Sequence, residues 1–149
     1  MKKDELNDAL RKVGYSPKII KNPNVDFHGV VDRAGIKLVI VRTNPNRIQI
    51  EARFDLTKTK LDRNIWKDFT KFLMELALSS NLDFIVLDDW RFSLFDHLYD
   101  DEFTLNSLHR ALRAVAFAGR KAQIRTNTLL GIKSSMDARS SDFDASMYG

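Results

Sequence analysis

The sequence predicts an α+β domain: a five-stranded, mainly antiparallel sheet with three helices, in the order helix, three strands, helix, two strands, helix (α-βββ-α-ββ-α). Three observations carry this reading. Arg47 to Leu56 alternates polar and apolar residues without a break, the period-two pattern of a half-buried strand. Lys58 to Ser80 and Thr104 to Ile124 carry apolar residues at helical spacing. Between these segments lie short apolar runs punctuated by Gly, Pro, Asn and Asp, the residues that build turns.

Along the chain, Leu6, Ala9, Leu10 and Val13 make one face of a first helix over Asp4 to Val13, with Gly14 as its stop. Ser16-Pro17 ends helical geometry, because the residue before proline avoids the α region. Lys18 to Lys21 reads as a short extended piece, and Asn22-Pro23-Asn24 as a turn. A first strand over Asp26 to Asp32 leads into a hairpin at Arg33-Ala34-Gly35, where Gly35 can take positive φ. The second strand, Ile36 to Thr43, contains Leu38-Val39-Ile40-Val41, apolar on both faces. That pattern predicts a central strand covered on both sides. After the turn Asn44-Pro45-Asn46 comes the alternating strand, with Ile48, Ile50, Ala52, Phe54 and Leu56 facing a core.

The second helix starts near Asp62 or Asn64. Ile65, Phe69, Phe72, Leu73 and Leu76 form one arc, widened by Trp66 and Ala77, while Met74 and Leu78 lie opposite. This apolar surface exceeds the stripe of roughly 100° that one-sided packing needs. The excess predicts a homodimer contact through Trp66, Met74 and Leu78; a tightly wrapped monomer is the structural alternative. Asn81 caps this helix, Phe84 to Leu87 reads as a buried strand, and Asp88-Asp89 as a turn. Trp90, Phe92 and Leu94 alternate with polar residues in a fifth strand, followed by a polar loop or frayed strand end from Asp96 to Glu102. The third helix begins at Thr104 as N-cap, with Leu105, Leu108, Ala111, Leu112, Val115, Ala118 and Gly119 on its apolar face. The domain is expected to end at residue 125, and residues 126–149, rich in Ser, Asp and Gly, to form a flexible tail anchored locally by Leu129, Leu130 and Ile132.

Some of this text resembles a small, mainly archaeal family of uncharacterised proteins with the type III secretion chaperone-like fold. The residues carrying the resemblance are Asn22-Pro23-Asn24-Val25-Asp26-Phe27-His28, the Gly35 hairpin, Tyr99-Asp100-Asp101 and Leu108-His109-Arg110-Ala111-Leu112. The inferred element order agrees with that fold. The resemblance implies a homodimer whose second helix lies at or near the interface, and a role in binding protein.

Composition narrows function by exclusion. In 149 residues, 44% are hydrophobic and 30% charged, enough for one domain with a real core. The absence of cysteine excludes a thiol nucleophile, a disulfide framework and a thiolate zinc site. No signal-like or membrane-spanning run is present, so the reading is a cytoplasmic protein off the membrane. A formal net charge of +4 permits an acidic partner without requiring nucleic acid.

The leading candidate site is the outer face of the third helix. Phe103 to Met136 holds six basic residues and no acidic one. On a helical wheel Arg110, Arg113, Arg120 and Lys121 surround Phe117, with Ile124 beside it. Cations around an aromatic can hold an acidic protein segment, or phosphates and bases. The structural alternative pairs these cations with the protein's own acids, Asp83, Asp88, Asp89, Asp96, Asp100, Asp101 and Glu102.

Asp96, His97, Asp100 and Asp101 match no known metal-loop spacing and read as solvated or helix-capping acids. Helix, three strands, helix, strand is also the core order of the restriction-endonuclease-like fold. A Mg²⁺-dependent nuclease of that kind would rest on Glu51-Ala52-Arg53 with Asp32, but arginine is a poor proton-transfer group where lysine is expected. His28, His97 and His109 are scattered, and the six glycines form no phosphate loop. The function expected from sequence is a non-enzymatic protein-binding, adaptor or chaperone-like module, homodimeric, with no metal, cofactor or catalytic residue. A nucleic-acid binder using the third helix is the alternative, and the nuclease comes third.

Overall fold

The computed structural model describes residues 3–43, 46–57, 62–86 and 90–129. The expected Asp88-Asp89 turn, the Asn44-Pro45 part of the preceding turn and residues 130–149 lie outside them. Helix α1 spans Lys3–Lys12, and strands β1 to β4 span Lys18–Ile19, Phe27–Arg33, Ile36–Thr43 and Arg47–Asp55. Helix α2 spans Arg63–Ser80, β5 Asp83–Val86 and β6 Arg91–Tyr99. A single 3₁₀ turn at Asp100–Glu102 leads into α3, Leu105–Leu129.

Local chemistry sets these boundaries. Tyr15 N–H reaches back to Leu10 O at 2.9 Å, and Gly14 sits at φ 97°, so α1 closes with a left-handed glycine stop. Ala34 and Gly35 take φ of 55° and 80°, the doubly positive two-residue turn that fits the twist of a hairpin. Asp62 caps α2 by accepting from Asn64 N–H at 2.7 Å, and Asn81 ends it in the left-handed region. Thr104 and Ser107 cap α3 reciprocally: Thr104 Oγ1 accepts from Ser107 N–H at 2.9 Å, and Ser107 Oγ from Thr104 N–H at 2.8 Å.

The sheet has six strands, ordered β1-β2-β3-β4-β6-β5, and every neighbouring pair is antiparallel. The additional strand is the short extended piece at Lys18–Ile19, which pairs with Val30 and Gly29. Two residues leave no periodicity to read. Strand β6 also runs further than expected, to Tyr99, because Asp96 and His97 continue the alternation with polar side chains.

The helices cover one face of the sheet, and a single core lies between. Leu38, Ile40, Ile48, Ile50, Leu94 and Leu98 line it from the sheet; Leu6, Leu10, Phe69, Leu73, Leu108, Leu112 and Val115 line it from the helices. The expectation that β3 is covered on both faces does not hold. Leu38 and Ile40 are fully buried, whereas Val39 and Val41 are half-buried on the opposite, open face. There they pack beside cross-strand neighbours rather than under a second layer, Val39 lying between Val30 and Glu51.

Two features fix how the layers meet. At Gly119, a Cβ would stand 3.0 Å from Ala52 Cβ and 3.3 Å from Ile36 Cγ2, so the missing side chain sets how closely α3 approaches β3 and β4. At the other end of the sheet, Arg42 is 3% exposed and pairs with Asp100 at 2.7 Å and Asp26 at 3.6 Å. One guanidinium thereby ties the entry to β2, the end of β3 and the exit of β6 together.

Gly119→Val is expected to lower unfolding stability by about 1–3 kcal/mol through overpacking. Arg42→Ala is expected to cost about 2–3 kcal/mol, below the range for a fully buried pair because both carboxylates retain some water contact. Urea unfolding followed by circular dichroism checks both, and an unchanged midpoint would contradict the packing described.

Candidate partner-binding surfaces

Helix α3 projects about 1.5 Å per residue and turns about 100°, which puts Arg110, Arg113, Phe117 and Lys121 in one stripe about 16 Å long. The structure exposes Arg110, Arg113 and Lys121 and half-buries Phe117 between them. The Lys121 ammonium stands over the Phe117 ring, 4.5 Å from its centroid, a cation–π contact that presents charge and ring together. Arg125 lies next along the helix, over the Phe72 ring of α2 at 5.2 Å.

Arg120 departs from the expected site. It is 4% exposed and reaches under the β2–β3 hairpin, where its Nη1 donates to Ala34 O at 3.4 Å. The wheel places Arg120 about 60° from the centre of the stripe, and the hairpin covers that flank. It helps hold α3 against the sheet and lies outside the exposed surface.

Among the described residues no acid forms an ion pair with Arg110 or Arg113 of the stripe. Asp100, one of the acids that could have met them, is bound to Arg42. Asp96 and Glu102 line a cleft of about 420 Å³ with Arg110, Asn81 and Ser107 at the start of α3. Burial raises the Asp96 carboxyl above its usual range, opposed by its hydrogen bond from His97 N–H.

The surface expected for a second copy also divides. Met74 and Leu78 are exposed, at 44% and 75%. Trp66 points inward instead, edge-on to Trp90 at 4.8 Å and within 6.4 Å of Phe92. Its spacing to Phe69 and Leu73 puts it on the core side of α2, so it seals one end of the core. The Phe72 flank of α2 meets α3 through Arg125, while Met74 and Leu78 occupy the far flank. Helix α2 packs on β5, the last strand of the sheet, whose Ile85 is also exposed on the open face.

The residues of the nuclease reading sit on that open face. Glu51 is 4% exposed and accepts hydrogen bonds from Arg53 Nε and Gln49 Nε2. Asp32 projects from β2, two strands away, about 10 Å at ordinary strand spacing. The acids and histidine considered for a metal also separate: Asp96 and His97 point to opposite faces of β6, and Asp100 pairs with Arg42. Among the described residues no group of three or more acidic or histidine side chains is placed to hold a metal ion.

Instead Glu51 ends a polar chain. His97 Nε2–H donates to Gln49 Oε1 at 2.8 Å, and Gln49 passes its own amide to Glu51. Burial lowers the His97 pKa below its ordinary 6.5, reinforced by Arg47 and opposed by Asp83 and Asp96. A folded-state pKa below the unfolded one favours the neutral ring. The resulting stability is present above pH 6.5 and is lost as pH falls through the folded pKa. His97→Gln is expected to flatten this loss in thermal melts between pH 7.5 and pH 5, and an unaltered pH profile would contradict the assignment.

No family model matches the chain, and no curated protein matches it. Among solved structures, the chain is similar to an uncharacterized protein from Methanothermobacter thermautotrophicus, with 14% identity and a TM-score of 0.70 over 84% of this chain and 96% of that one. It is also similar to a chain of the crystal structure of the ExsC-ExsE complex, with 12% identity and a TM-score of 0.56 over 80% of this chain and 92% of that one. At such identities the likeness establishes fold, and the architecture of three helices on one face of an antiparallel sheet is the type III secretion chaperone-like α+β fold.

Proposed function

We propose that this chain is a non-enzymatic protein-binding module of adaptor or chaperone-like type that works as a homodimer. The observation that carries the reading is the stripe of Arg110, Arg113, Phe117 and Lys121, exposed on a helix whose opposite side is fixed to the core. An exposed arginine in no ion pair among the described residues can pair with a partner's carboxylate, and the half-buried ring beside it offers apolar contact in the same footprint. A protein segment bearing acidic and apolar side chains fits both. The similar ExsC-ExsE structure is, by its description, a complex, and supports a protein partner by analogy of fold alone.

The homodimer uses the flank of α2 bearing Met74 and Leu78, beside the β5 end of the sheet. Leu78, three-quarters exposed, supplies the apolar area that a contact between copies would remove from water. Trp66, packed against Trp90 and Phe92, does not enter it.

A second reading uses the same stripe for nucleic acid. The observation favouring it is the run from Phe103 to Met136 with no acidic residue. Phosphate binding of this kind weakens steeply with added salt.

The Arg113→Glu, Phe117→Ala double variant is expected to lose the bound partner in a pull-down while its fold, read by circular dichroism, is unchanged. Nuclease treatment is expected to leave the captured protein in place. Retention by the double variant would remove the stripe from the interface, and loss on nuclease treatment would favour the second reading. In sizing with light scattering, Leu78→Glu is expected to convert dimer to monomer with little change in stability. A wild-type monomer at high concentration would remove the dimer.

A further inference from the structure

The cleft of about 420 Å³ between the end of α2, strand β6 and the first turns of α3 carries charges of both signs on its walls. We infer that it is a subsite for a lysine side chain of the bound protein segment. Asp96 and Glu102 receive the ammonium, and Arg110 receives a carboxylate next to that lysine in the segment. The inference rests on the reading of α3 as a partner surface and adds a requirement on the partner's sequence.

Asp96 is the residue that points to a cation. It lies between Leu94 and Leu98 on the side of β6 that faces the helices, and both leucines are buried. Its cross-strand partner is Ile50, fully buried. A carboxylate drawn into such a layer is ordinarily matched by a cation. Arg42, on the same face of the sheet, is matched in this way by Asp100 and Asp26. Asp96 forms no ion pair among the described residues, and its side chain accepts from His97 N–H at 2.9 Å. Burial raises its carboxyl above the usual range, a cost that a positive charge in the cleft would offset.

The other walls suit an ammonium on an apolar stem. Helix α2 ends here at Ser80 and Asn81, with no basic residue in its last turn, so the negative end of its dipole has no side-chain cation of its own. Glu102 adds a second carboxylate that forms no ion pair among the described residues. Leu98, Ala111 and Ala114 offer apolar surface to a methylene chain. The volume falls within the range of roughly 300–1,000 Å³ common to small-ligand sites. A metal ion suits the cleft less well. The described residues bring no three acidic or histidine ligands together, and Arg110 would repel it.

Arg110 supplies the second half of the match. It lines the cleft without pairing with either carboxylate. It is exposed where Asp96 is half-buried, so the positive wall lies outward of the negative one. A lysine entering with an acidic neighbour behind it meets both. Arg110 is also the first cation of the α3 stripe, so a segment lying along that stripe reaches the cleft at its end.

The test is a titration of the ¹⁵N-labelled full chain with the blocked peptides acetyl-Lys-Asp-amide and acetyl-Asp-Lys-amide. Saturable shifts are expected at residues 96, 102, 107 and 110 with at least one of them. Binding is expected to weaken about tenfold when norleucine replaces the peptide's lysine, and equally in Asp96→Asn. That variant is nearly isosteric, and its thermal melt reports that it folds. Arg110→Gln is expected to remove the preference for aspartate over asparagine in the peptide. Absence of shifts at these residues, or equal binding of the norleucine peptides, would overturn the inference. So would shifts there with 6-aminohexanoate but with neither peptide, which would make the ligand a free amino acid. The partner reading is judged apart, by capture: a partner held through Arg113 and Phe117, with no peptide bound in the cleft, removes only this inference. Peptide bound in the cleft with no partner captured under any condition removes the partner reading and leaves the lysine site standing.

Discussion

The absence of a side chain at Gly119 decides how the rest of the molecule is arranged. A long helix can lie close on a sheet only where the contacting residues are small, and here Gly119 faces Ala52 with no room for another carbon. That approach brings Leu112, Val115 and Ala118 into the core beside Ile50 and Leu94. It also fixes the roll of α3 about its axis, and Arg120 beneath the β2–β3 hairpin fixes it a second time. With one side held at two points, Arg110, Arg113, Phe117 and Lys121 have only the outward direction left. The exposed surface follows from the packing of the hidden one.

The same logic separates the two faces of the sheet. Helices cover the face carrying Leu38, Ile40, Ile48 and Ile50, and among the described residues no second layer packs on the opposite face. Polar neighbours there satisfy one another, His97 to Gln49 to Glu51, with Arg53 closing the chain. A carboxylate locked in that way stabilises a sheet surface and is poorly placed to activate water.

Much of the fold was legible because it rests on periodicity. The alternation from Arg47 to Leu56, the arc of α2 and the caps at Asp62, Asn81 and Thr104 all follow from local rules, and the structure obeys them. What local rules missed has physical causes. Lys18–Ile19 is a strand only because β2 lies beside it. Asp96 and His97 hid the end of β6, since a polar pair inside a strand reads as a loop. Helix α3 runs past the expected end to Leu129, where Thr126 Oγ1 returns to Ala122 O at 2.8 Å and Gln123 bonds Asn127. Asp26 and Asp100, drawn from two of the segments that suggested the family resemblance, both pair with Arg42, a link that no local rule predicts.

The candidate surface was legible in part for the same reason. A helical wheel finds the stripe but cannot see the hairpin over Arg120 or the indole of Trp90 against Trp66. Tertiary contacts removed one residue from each expected surface, leaving Arg110, Arg113, Lys121, Met74 and Leu78 exposed and Phe117 half-buried. In the proposed role, α3 buries one side in the core and offers the other to a partner. Hydrogen–deuterium exchange on the protein alone and with its captured partner tests this most directly. Added protection is expected to concentrate at residues 110–121, with the core side of α3 slow to exchange in both states. Added protection confined to the open face of the sheet, with α3 unchanged, would contradict it.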